Sequence, residues 1–144
     1  MKLYSLLVVL FIGLAGQAQK PPSWKVTLNK KNVLEATSED SVKNVISIRK
    51  DDLGNNGIFK LDYKEGSDHP GGWMRTIAMI DLSNETLAQR DSATAMYMYN
   101  KDLLKLLWSR KKLNIYTWST PLDKGVAAAV RIRRYLLCSL VLVD

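Results

Sequence analysis

A single histidine and a single cysteine bound the chemistry open to this chain of 144 residues. His69 stands in Ser67-Asp68-His69-Pro70-Gly71-Gly72, and it is the one side chain whose ordinary pKa suits general-base work near neutrality. A serine nucleophile would depend on it. Yet no Gly-x-Ser-x-Gly elbow occurs, and Asp68 is badly placed to orient the ring of its immediate neighbour. The expectation is a solvated loop histidine. Cys138 lies in the apolar run Tyr135–Val143, where a thiol packs as a small hydrophobe. An intrachain disulfide and a zinc site built only from Cys and His are both excluded.

Asp51, Asp52, Asn55 and Asn56 around Gly54 and Gly57 offer hard oxygen ligands that superficially suit calcium. Leu53 falls where a ligand is required, and Asp and Asn also serve the backbone of a turn, so the segment reads as a turn. A glycosidase needs two carboxylates across a cleft, and the 14 acidic residues show no pattern that pairs any two. There is no Gly-rich phosphate loop and no dinucleotide fingerprint, so no cofactor is expected. The leading expectation is a non-enzymatic binding protein. A small cell-envelope hydrolase with an unidentified carboxylate pair is one alternative, and a structural subunit of a surface assembly is another.

Positive charge carries the binding argument: 21 Lys and Arg outnumber 14 Asp and Glu, giving +7. Two clusters are densest, Arg110-Lys111-Lys112 and Arg131-Ile132-Arg133-Arg134. On a strand, Arg131 and Arg133 would share a face with their guanidinium groups about 7 Å apart, a spacing suited to anionic ligands. Trp108, Tyr116 and Trp118 are close enough in sequence to add stacking surface. Arg110, Lys112, Arg131, Arg133 and Trp118 are therefore the candidate binding residues, with an envelope protein or an anionic glycan as partner. The alternative is a solvated basic face that blocks edge pairing. No nucleic-acid motif is visible, and no nucleic-acid partner is expected.

Positioning these residues requires a β-rich scaffold. Lys2, the apolar stretch Leu6–Leu14 and the small residues Gly16 and Ala18 read as a cleaved signal peptide over residues 1–18, hence export to the periplasm or beyond. Residues 19–23 read as an extended tether and 24–144 as one domain, with no transmembrane segment in the mature chain. Trp24, Val26 and Leu28 alternate with polar residues, as do Phe59, Leu61 and Tyr63. Residues 44–63 read as a β-hairpin turning at Asn56-Gly57, Trp73–Leu82 as an interior strand, and Ser83–Ala95 as a helical turn or a hairpin tip. Leu103, Leu104, Leu106 and Leu107 mark a short helix with Asn100 as N-cap, and Val126–Val143 reads as one or two strands. The expected fold is all-β and mainly antiparallel, a two-sheet β-sandwich of about seven or eight strands with one crossover helix. A partly open β-barrel is the alternative.

Overall fold

Alternation of apolar and polar residues builds the first hairpin. In β1 (Ser23–Leu28), Trp24, Val26 and Leu28 are buried and Lys25 is exposed. Asn29 and Lys30 both adopt positive φ, 53° and 67°, which gives the two-residue turn whose twist matches a hairpin and leads into β2 (Lys31–Ala36). The computed structural model describes residues 18–54 and 56–144, so the signal-peptide expectation falls almost wholly outside it. The remaining strands are β3 (Val45–Arg49), β4 (Ile58–Lys64), β5 (Trp73–Asp81), β6 (Thr86–Asp91), β7 (Ala95–Tyr99), β8 (Lys112–Pro121) and β9 (Tyr135–Val143). Helix α1 (Asn100–Arg110) joins β7 to β8, and α2 (Lys124–Ala129) lies between β8 and β9.

The strands form two sheets, β2-β1-β4-β7 and β3-β9-β8-β5-β6, which do not close into a barrel. All pairings are antiparallel except β3 on β9. The inner faces meet through Val26, Phe59, Leu61 and Met96 on one side and Ile77, Met79, Leu113, Ile115 and Leu140 on the other. Leu103 and Leu107 of α1 join this core, while Leu104 and Leu106 are partly buried against it. Both faces of β5 are buried over Thr76–Ile80, and β9 runs between β3 and β8, as interior strands should.

Of the two readings of Ser83–Ala95 the structure has the hairpin tip: a turn after Asp81 leads into β6, which pairs antiparallel with β5. Three local expectations are corrected. β3 and β4 do not form a hairpin: a 3₁₀ turn at Lys50–Leu53 buries Leu53, and the two strands join different sheets. Asn100 is the first residue of α1 and not its cap; Tyr99 holds the N-cap position. The Asn100 amide instead donates to Asn29 Oδ1 at 2.7 Å and to the Gly54 carbonyl at 3.2 Å, tying the first turn to the helix start. Finally, Val126 is not in a strand. Asp123 accepts the Val126 N–H at 2.9 Å and caps a short alanine-rich helix, so residues 130–134 are irregular. The tether is also less free than expected, because Lys20 and Ser67 exchange backbone and hydroxyl hydrogen bonds and Ser23 already belongs to β1.

Candidate functional site

Toward one end of the sandwich the inner faces turn from apolar to polar. Along β5 the inward residues run Met79, Ile77, Arg75, Trp73; along β8 they run Leu113, Ile115, Thr117, Ser119. No pair of sheets can close over such residues without stranding polar groups. A cleft of about 590 Å³ opens there, walled by both sheets, residues 65–70 and the irregular stretch carrying Arg131 and Arg133.

Its floor is fixed by aromatic packing. Trp24 and Tyr63 stack at 6.2 Å, and the Trp24 indole N–H donates to the Leu137 carbonyl at 2.9 Å. Above Tyr63, the Arg75 guanidinium lies 4.6 Å from the ring centroid. Its fork grips Glu65: Nε meets Oε1, and Nη2 donates to Oε2 at 2.8 Å. Arg75 Nη1 also donates to Thr117 Oγ1 at 3.2 Å, whose own hydroxyl donates to the Thr76 carbonyl at 2.8 Å. Burial pushes the Tyr63 phenol above its ordinary value, with Arg75 pulling the other way. Ser119 sits directly across the ladder from Arg75, and its buried hydroxyl has no hydrogen-bond partner among the described residues.

The opposite lip is held by Glu39. One carboxylate oxygen accepts the Leu136 N–H at 2.7 Å, and the other accepts from Arg133 Nη2 at 2.8 Å. Arg133 also stacks over Tyr135 at 4.5 Å. Arg131 lines the same cleft, is exposed, and has no ion-pair partner among the described residues.

The structure therefore divides the residues singled out by sequence. Arg131 and Arg133 come together at the cleft, but not by strand alternation, because they precede β9. Arg110 and Lys112 lie near the far end of the same sheet, where Leu113 pairs with Asp81. Arg110 is committed to Asp81 at 3.1 Å and Glu85 at 3.5 Å. The Glu85 backbone N–H and the Arg110 guanidinium hold the Asp81 carboxyl below its usual range. Trp118 occupies the other face of β8, beneath Arg134 at 5.1 Å. His69 is not freely solvated: it is half-buried, with Nδ1 at 3.3 Å from Glu65 Oε2.

Sequence reasoning missed Glu65, Arg75, Thr117 and Ser119. The available signal was Arg75 itself, a lone charge inside the apolar run Trp73–Ile80. Glu39 and Glu65 share the cleft, as a carboxylate pair would. Each, however, has both oxygens engaged by N–H or cationic donors, which suits positioning. Among the described residues no group of three or more His, Cys, Asp or Glu side chains could hold a metal ion. No protein-family model matches the chain, and no curated protein matches it.

Proposed function

We propose that this chain is an exported, non-enzymatic β-sandwich that binds an anionic glycan in the cleft between its sheets. The observation that carries the reading is Arg131, a guanidinium with no ion-pair partner among the described residues, at the mouth of a pocket walled by Trp73 and Tyr135. A sugar acid presents the complementary groups: a carboxylate for Arg131, a hydroxyl for Ser119, and an apolar ring face for the aromatic walls. The orphan Ser119 hydroxyl supports this, since a buried polar group without a partner costs about 1–3 kcal/mol unless something satisfies it. We also read the sheet order as immunoglobulin-like, a reading supported by the parallel β3–β9 edge and by the helix joining β7 to β8.

Titration calorimetry with uronic-acid oligosaccharides and their neutral counterparts tests the proposal. Binding should favour the acidic series, weaken with salt, and fall by about tenfold or more in Arg131→Glu. Arg131 is the cleaner target, because Arg133→Glu would also release Glu39. Trp118→Ala should leave affinity unchanged. Equal affinity for neutral and acidic sugars, or for Arg131→Glu and the parent, would overturn the reading.

A further inference from the structure

Helix α1 caps the end of the sandwich opposite the cleft. β4 runs from Ile58, which pairs with Tyr99 just before α1, to Lys64, which pairs with Ser23 beside the cleft. The inward side of α1 is spent on the core through Leu103 and Leu107. Its outward side carries Lys101, Lys105 and Trp108, spaced four and three residues apart and so aligned along one face. With Lys50 and Leu53 of the 3₁₀ turn and Leu104, they surround a shallow hollow of about 470 Å³.

Trp108 is 57% exposed, a large apolar surface to leave in water. Lys50 Nζ and Lys111 Nζ lie 5.4 Å and 4.8 Å from its ring centroid. None of Lys50, Lys101, Lys105 and Lys111 forms an ion pair among the described residues; Asp51 and Asp102, their nearest acidic neighbours in sequence, pair with none of them. We infer that this face docks on an anionic lipid surface. Four unpaired ammonium groups complement lipid phosphates, and an indole edge among leucines suits the headgroup boundary. A sugar chain fits less well, because lysines already stand over the Trp108 ring that it would stack upon. Docked this way, the protein holds its cleft roughly 20 Å from the bilayer, the length of β4.

Co-sedimentation of the full chain with phosphatidylcholine vesicles, with and without phosphatidylglycerol, reads this out. The leader is common to every variant, so differences between variants report the patch. Binding should depend on phosphatidylglycerol and fall with salt. Lys101→Glu/Lys105→Glu should reduce it by about 25-fold or more, at roughly fivefold per lysine. Trp108→Ala should weaken it without shifting the melting temperature, and Arg131→Glu should leave it unchanged, which separates this surface from the cleft. Equal vesicle binding by the double lysine variant would overturn the inference. So would tight binding of the patch to dextran sulfate without binding to vesicles, which would assign it to a soluble polyanion.

Discussion

Replacing Arg75 by methionine should unfold the cleft's scaffold more than any exposed substitution near it. The Arg75 side chain is 12% exposed and that of Glu65 25%, so removing the cation leaves a largely desolvated carboxylate with only His69 beside it. Breaking a fully buried pair costs about 3–5 kcal/mol; the water still reaching Glu65 argues for about 2–3 kcal/mol here. Loss of the contact over Tyr63 adds roughly 0.5–1 kcal/mol. The sum, about 3 kcal/mol, should lower the urea midpoint with little change in slope. Glu65→Gln combined with Arg75→Met supplies the decisive comparison. It removes the stranded charge and should recover about 1–2 kcal/mol relative to the sum of the single variants. A single-variant loss below about 1 kcal/mol, or strict additivity in the double variant, would refute the claim that this pair is desolvated and coupled.

Three further outcomes follow from other parts of the fold. A Cβ on Gly57 would lie 1.7 Å from Asn29 Oδ1 and 2.2 Å from Asn100 Nδ2, so Gly57→Ala must separate that hydrogen-bonded pair. A net loss of about 1–3 kcal/mol is expected despite the chain-entropy gain from alanine, and a smaller one in an Asn29→Gly background; a raised melting temperature would contradict the packing. Burial raises the Cys138 thiol from 9.0 to about 12, so the folded state keeps a proton that the unfolded chain releases. Stability from this group is therefore full below pH 9.0 and declines towards pH 12 by at most about 1.4 kcal/mol per unit, a decline that Cys138→Ala should reduce, with Tyr63 contributing in the same alkaline window. Deleting Tyr135–Asp144 removes a strand that pairs on both sides and carries buried Leu137, Cys138 and Leu140, and a cooperatively melting soluble product would contradict its interior role.

Legibility in the sequence followed the range of the forces involved. The two-sheet sandwich could be read because alternation in Trp24–Leu28 and Phe59–Tyr63 reports burial on one face, a local pattern. The leucine spacing of α1 was equally local, and so was the apolar setting of Cys138. Strand pairing was not. Nothing near Val45–Arg49 specifies that it lies parallel to β9, which is why a hairpin with β4 was the natural reading. Arg131 and Arg133 stand out in the sequence by charge density, and the strand geometry expected of them is cancelled by Asp123, which starts α2. The cleft's own framework depends on cross-strand neighbours such as Arg75 and Ser119, which only the β5–β8 register brings together. Arg110 shows the converse: a guanidinium that belongs to a basic cluster in sequence is already paired with Asp81 and Glu85 in space.

The Glu39 carboxylate receives the Leu136 N–H across 97 residues of sequence, and the β3–β9 ladder begins close by. An interior strand of the larger sheet, β9, is thus supplied by the end of the described chain, while its edge partner β3 comes from about the first third. Such non-local closure must pay the entropy of a long loop before any contact rewards it, which slows folding relative to a protein of local hairpins. A growing chain cannot complete this sandwich until β9 has been synthesised. Until then β8 lacks its partner along one edge and β3 has no strand to pair with, so the larger sheet stays open although every strand of the facing sheet is already present.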